Sequence, residues 1–346
     1  MKKLTLTMVA LAAGMLAGTA IAQTAAQPPK AEPNMQKVLD AMASLKPKPI
    51  ETLTPEEARK QPSAADAVKK VLQDAGQSTA PEPGVTMKTQ TVQGKGGSFP
   101  VHIFTPEGKG PFPVIVYYHG GGFVIADTKV YEASIRALAK QAKAIVVSAD
   151  YRLAPEHTFP TQPEDAFAAY KWAIENAKQF NGDATRVAVA GESAGGNLAT
   201  VVSMMARDNK AQMPLHQLLV YPVVDNDMNN ESYKKNANAK PLNKAMMGWF
   251  FKHYGADPKS PYALPLKATS LKGLPPATVI TAEIDPLMTE GKAYADRLKK
   301  EGVAVNYRHY TGVTHEFFGM GAVVPKAKEA QQFAAGELTK AFNAKR

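Results

Sequence analysis

The stretch Gly191-Glu192-Ser193-Ala194-Gly195-Gly196 follows a β-branched run, Arg186 to Ala190, and opens a helix-length segment, Ala194 to Arg207. A strand that turns through glycines directly into a helix is the repeating unit of a parallel sheet, because parallel neighbours need a crossover and the crossover helix covers the sheet face. The same rhythm extends from Val85 to the C-terminus. Strands are predicted at Phe99 to Thr105, Val114 to Tyr118, Ala144 to Ala149, Arg186 to Ala190, Leu215 to Tyr221, Ala277 to Ala282 and Val303 to Tyr310. Helices are predicted near Val130 to Gln141, Pro163 to Gln179, Ala194 to Arg207, Leu287 to Glu301 and Pro325 to Phe342. The expected class is α/β, a mostly parallel sheet flanked by helices. Residues 223–275 break the pattern: they hold no strand signal and one aromatic-rich helix, Asn243 to Tyr254, which predicts an insertion over the C-terminal edge of the sheet.

The first 84 residues read differently. Lys2 and Lys3 precede an apolar run from Leu4 to about Leu16 and an Ala20-Ile21-Ala22 end, the pattern of a secretory signal cleaved after Ala22. The run is shorter than the roughly 20 residues a spanning helix needs, so a periplasmic or secreted protein without stable membrane insertion is the expectation. Residues 23–84 read as a linker followed by short amphipathic helices. Thr54-Pro55-Glu56-Glu57 has capping-box spacing, and Ser63 opens a helix that Gly76 can close.

Composition narrows the chemistry. With no cysteine among 346 residues, thiolate zinc sites, disulfides and cysteine nucleophiles are excluded, and catalysis must use hydroxyl, imidazole or carboxylate groups. The formal net charge of +10 is spread along the chain and not interleaved with aromatics, so it is read as a solvated surface and not as a nucleic-acid site.

Ser193 is the candidate nucleophile, exposed on a tight turn with the Ala194 N–H beside it at a helix N-terminus. His119-Gly120-Gly121-Gly122 follows the strand Val114 to Tyr118, where unobstructed backbone donors can face the same site. Gly121, Gly122 and Ala194 are assigned as an oxyanion hole, with His119 a structural residue that fixes the loop. A serine needs an imidazole base and a carboxylate that orients it. His315 follows the last strand, and Asp285 follows the strand before it, both at the edge where open α/β sheets place their sites. Glu283 is expected to support the site by hydrogen bonding, and Asp225 and Asp227 are the fallback carboxylates. His102, His157, His216, His253 and His309 are assigned to packing or surface.

These stretches, together with Asp150-Tyr151-Arg152-Leu153-Ala154-Pro155-Glu156-His157 and Asp285-Pro286-Leu287, resemble the bacterial hormone-sensitive lipase-like esterases of the α/β-hydrolase family, over about residues 85–346. The order Ser193, Asp285, His315 is that of α/β-hydrolases. The resemblance implies an eight-stranded sheet, a helical cap built from the N-terminal helices and the 223–275 insertion, and cofactor-independent hydrolysis of short to medium acyl esters. It also implies that Arg152 and Glu156 form a buried ion pair bracing the site. Glu192 and Glu316 depart from the residues more usual there and are expected to alter pocket shape or polarity. Met246, Met247, Trp249, Phe250 and Phe251 are candidates to line a substrate pocket. Lipase action, amide or formamide hydrolysis, and a non-catalytic small-molecule receptor are the competing readings. No motif fixes the oligomeric state, a homodimer included.

Overall fold

The computed structural model describes residues 29–344, so the signal-peptide expectation for residues 1–22 lies outside the described residues. Eight strands form one sheet: β1 (Val85–Gly94), β2 (Gly97–Pro106), β3 (Phe112–Tyr118), β4 (Ile145–Ala149), β5 (Gly182–Glu192), β6 (Gln217–Val220), β7 (Ala277–Ile284) and β8 (Val305–Thr314). Their spatial order is β1-β2-β4-β3-β5-β6-β7-β8, and from β4 to β8 every pairing is parallel.

Ten α-helices accompany the sheet. They are α1 (Pro33–Ser44), α2 (Pro55–Ala58), α3 (Ala64–Asp74), α4 (Glu132–Ala142), α5 (Thr161–Asn176), α6 (Ala194–Asp208), α7 (Glu231–Lys235), α8 (Lys244–Tyr254), α9 (Met288–Lys300) and α10 (Pro325–Asn343), counted among the described residues. None of them is long and apolar enough to cross a membrane.

Period-two alternation assigns the core. In β3, Val114, Val116 and Tyr118 pack with residues of α5, α6 and α9, while Ile115 and Tyr117 pack on the opposite face with α1, α3, α4 and α10. Because both faces are covered, every residue of β3 is buried. A third apolar cluster sits above the C-terminal strand ends, joining Ile50 and Ala58 to Tyr233, Met247, Trp249, Phe250 and Leu287.

One strand was not anticipated as a separate element. β1 pairs antiparallel with β2 through a turn at Lys95-Gly96, and six consecutive residues, Thr86 to Thr91, are exposed. An edge strand whose middle six residues are exposed carries no hydrophobic alternation, so its signal is weak. The helix starts behaved as their sequences dictate. Thr54 and Ser63 both form capping boxes, and Asn243 caps α8 through the Met246 N–H.

The expected pairing of Arg152 with Glu156 is not formed. Arg152 instead makes a forked ion pair with Asp165 of α5, at 2.7 and 2.9 Å, and Asp165 is fully buried. Glu156 is more than half exposed and pairs with Arg59, just past α2, whose guanidinium also donates to the Val124 and Ala154 carbonyls. The Arg59 hydrogen bond holds the Glu156 carboxyl down at about 2. The reason is directional: four residues on from Arg152, Glu156 faces the N-terminal helices, while the Asp165 carboxylate lies against the Arg152 backbone N–H at 3.1 Å and can take both ends of the guanidinium.

The two pairs should therefore respond differently to deletion. Asp165→Ala leaves a guanidinium that is about seven-eighths buried without its partner and is expected to cost about 3–5 kcal/mol of folding stability. Glu156→Gln should cost under about 1 kcal/mol. Urea titration of the two variants measures the difference, and equal losses would contradict it.

Candidate active site

Ser193 is the single residue between β5 and α6. Its backbone stands at φ 57°, ψ −119°, a conformation that L-residues avoid. Such strain costs on the order of 1–3 kcal/mol and persists only where the surroundings enforce it. Here the Ser193 N–H donates to the Val220 carbonyl at 2.9 Å, and its own carbonyl accepts from the N–H groups of Asn197 and Val223. The elbow also needs close approach. A Cβ on Gly195 would lie 1.9 Å from the Tyr118 carbonyl oxygen, so only glycine lets α6 start this near the end of β3.

Three strand ends converge on one hydrogen-bonded line. His315, directly after β8, holds its Nδ1 2.7 Å from Asp285 Oδ2 and its Nε2 3.0 Å from Ser193 Oγ. A carboxylate only accepts, so Nδ1 carries the proton and Nε2 of the neutral ring accepts from the serine hydroxyl. Asp285 and His315 are both buried. Burial disfavours the imidazolium, but the Asp285 charge and hydrogen bond, with the charges of Glu316 and Glu192 behind them, outweigh it and raise the His315 pKa above the ordinary value.

The carboxylate is itself held. Asp285 Oδ1 accepts from the Leu287 N–H at 2.8 Å, and the Asn236 side chain donates to the Glu283 and Asp285 carbonyls. Glu283 Oε2 accepts from the Gly312 N–H at 2.8 Å, tying β7 to the segment just before His315. Asp225 and Asp227 lie elsewhere: Asp225 is 3.5 Å from Lys267, and Asp227 accepts from the Asn229 N–H. Asn236 escaped the sequence reading because a lone asparagine at the end of a short helix carries no signal beyond capping.

His119 is buried, donates from Nδ1 to the Gly120 carbonyl and stacks on Tyr151 with ring centroids 4.4 Å apart. Burial pushes its pKa down, which suits a neutral ring used as a wedge. Tyr151 OH donates to the His119 carbonyl, so the tyrosine fixes the glycine loop from below. Among the described residues, the N–H groups of Gly121, Gly122 and Ala194 make no backbone hydrogen bond outside regular secondary structure. Three of the remaining five histidines bond outside this line through their rings, His102 to Asp150 and Thr89, His216 to Thr278, and His309 to Thr281, while His253 packs against Trp249 and His157 bonds through its backbone.

Ser193, His315, Gly121 and Gly122 open onto a cavity of about 410 Å³, within the roughly 300–1,000 Å³ of small-molecule sites. Its wall comes from residues between Leu39 and Ala64 and from α8, through Met246, Met247 and Phe250. Phe250 lies against the glycine loop so closely that a Cβ on Gly122 would sit 2.2 Å from its ring. Trp249 and Phe251, expected beside them, do not line the cavity. Helical spacing turns them away, and Trp249 donates its indole N–H to the Leu53 carbonyl and packs edge-on against His253.

The two unusual glutamates also separate. Glu192 is fully buried and faces away from the cavity, accepting from Tyr117 OH at 2.5 Å and from Tyr221 OH. Burial, aided by the Glu316 charge, raises its pKa to about 7. Glu316 does line the cavity; its Oε1 accepts from Tyr131 OH at 2.6 Å and stands 3.9 Å from His315 Nε2. Its backbone is left-handed, at φ 70°. Burial raises this carboxyl as well.

Residues 115–319 match a family model described as an alpha/beta hydrolase fold. The carboxylesterase NlhH of Mycobacterium tuberculosis (strain ATCC 25618 / H37Rv) is 38% identical over 276 residues, covering 77% of this chain and 86% of the relative. An ethyl acetate hydrolase of Pseudomonas putida is 33% identical, covering 81% of this chain and 88% of the relative. Among solved structures, a thermostable esterase from Pseudomonas putida ECU1011 superposes with a TM-score of 0.83 at 36% identity, covering 92% of this chain and 99% of the other.

Proposed function

The chain belongs to the hormone-sensitive-lipase-like esterases of the α/β-hydrolase family and is a carboxylic ester hydrolase, and on that premise we propose that Ser193, His315 and Asp285 are its catalytic triad. The observation that carries this reading is the unbroken line from Asp285 through His315 to Ser193, with both links at hydrogen-bond distance.

Ser193 Oγ attacks the ester carbonyl as its proton passes to His315 Nε2. The carbonyl oxygen becomes an alkoxide, which the N–H groups of Gly121, Gly122 and Ala194 stabilise more than they stabilise the ground-state carbonyl. The imidazolium then returns the proton to the departing alkoxide, the carbon–oxygen bond breaks, and an acyl-Ser193 ester remains. Water, deprotonated by the same nitrogen, attacks the acyl carbon and releases the acid and free Ser193. Asp285 holds the ring tautomer throughout.

The helices before β1 and the 223–275 insertion together form the cap over this site, in our reading, because both contribute to the cavity wall. The cavity volume and the Phe250 ring against Gly122 support short to medium acyl chains.

Ser193→Ala should lower kcat for a nitrophenyl butyrate by at least about a thousandfold with KM little changed; near-normal turnover would refute the assignment. The base must be neutral to accept the proton, so its raised pKa moves the acid limb of kcat/KM upward: the midpoint should lie above about 6.5, and a pH–rate profile reads it directly. Phe250→Ala, which removes the ring against the oxyanion loop, should shift the optimum across a series of nitrophenyl esters toward longer acyl chains.

A further inference from the structure

A proton released from His315 Nε2 must be taken up by the leaving oxygen of the ester, so that oxygen has to come within about 2.6–3.2 Å of the nitrogen. Glu316 Oε1 stands 3.9 Å from the same atom. The alcohol half of the substrate is therefore delivered beside a carboxylate, and a group on the second carbon from the ester oxygen can touch it. The carboxylate has room to respond. A carboxylate offers about four acceptor sites, and the Tyr131 hydroxyl takes one of them, at Oε1. The Tyr131 hydroxyl also fixes the group in place, which is what a selecting residue needs.

The backbone points the same way. At φ 70° position 316 suits glycine, and any other residue there is strained. A strained carboxylate, anchored by a buried tyrosine and facing the cavity next to the proton-transferring nitrogen, has a side chain whose contacts offset that strain. The other charged groups on the cavity wall stand on the cap: Lys46, Lys48 and Lys240 are exposed, Arg59 is tied to Glu156, and Glu51, half-buried between α1 and α2, lacks the contact with His315 that Glu316 makes.

We propose that Glu316 selects the alcohol half of the ester, favouring alcohols that carry a hydrogen-bond donor, a hydroxyl or a protonated amine, on the carbon next to the one bonded to the ester oxygen. The inference rests on the triad reading above. It differs from a simple electrostatic brace on His315, which would scale the hydrolysis of every ester by one common factor.

The test uses butyrates that differ only in the alcohol: 2-(dimethylamino)ethyl against its isostere 3-methylbutyl, and 2-hydroxyethyl against propyl, assayed for kcat/KM at one pH with the purified protein. The wild type should prefer each donor-bearing ester over its isostere, by about tenfold for the protonated amine. Glu316→Gln, which keeps an acceptor but loses the charge, should lose most of the amine preference and less of the hydroxyl preference. Glu316→Gly should lose both, and because glycine suits the φ it should melt no lower than the wild type. Ratios equal in all three proteins, or a uniform change across all four esters, would overturn the proposal. Wild-type turnover of these esters by Ser193→Ala would instead bring down the triad reading beneath it.

Discussion

One hydrogen-bonded line depends on how far three parallel strands run past their common level. The ladder aligns Glu192 of β5 with Val220, Val220 with Ile280, and Ile280 with Arg308. Ser193 follows that level at once, whereas β7 and β8 continue before releasing Asp285 and His315. Their continuation is uneven: Ala282 pairs with Tyr310 but Ile284 pairs with Thr314, so β8 takes the longer path. The slack is gathered at Gly312, whose N–H is held by Glu283. Glu283 thus sets the height at which the imidazole meets the serine, without touching either.

Much of this was legible in the sequence because parallel strands buried on both faces must be apolar throughout, and glycine turns mark where they end. Ser193, Asp285 and His315 could be picked out by their place after successive strands. What could not be read were choices of partner. Arg152 had two carboxylates within reach in sequence, and only tertiary packing decides for Asp165 and leaves Glu156 to Arg59. In the same way, a run of five aromatic and methionine side chains on α8 looks uniform until the helix is docked, when Met246, Met247 and Phe250 face the cavity and Trp249 turns to Leu53. β1 was hidden for the opposite reason, since the exposed middle of this edge strand leaves no alternating pattern.

Behind the reacting groups lies a layer of buried phenols and carboxylates. Tyr117 and Tyr221 donate to Glu192, Tyr131 donates to Glu316, and the Tyr221 ring centroid is 4.4 Å from that of His315. Each phenol supplies a donor to a carboxylate that burial would otherwise penalise. Where these carboxyls are ionised, their charge near His315 favours the imidazolium formed midway through each acyl transfer.

Floor and wall of the cavity come from different parts of the chain. The floor is made of strand ends locked by the sheet ladder, while the wall is made of residues 39–64 and 240–250, which sit outside the sheet and meet through such contacts as the Trp249 indole on the Leu53 carbonyl. Sequence drift in the wall can therefore retune which molecules are admitted while the floor stays untouched, so one scaffold can serve diverging diets in related lineages without reinventing its chemistry.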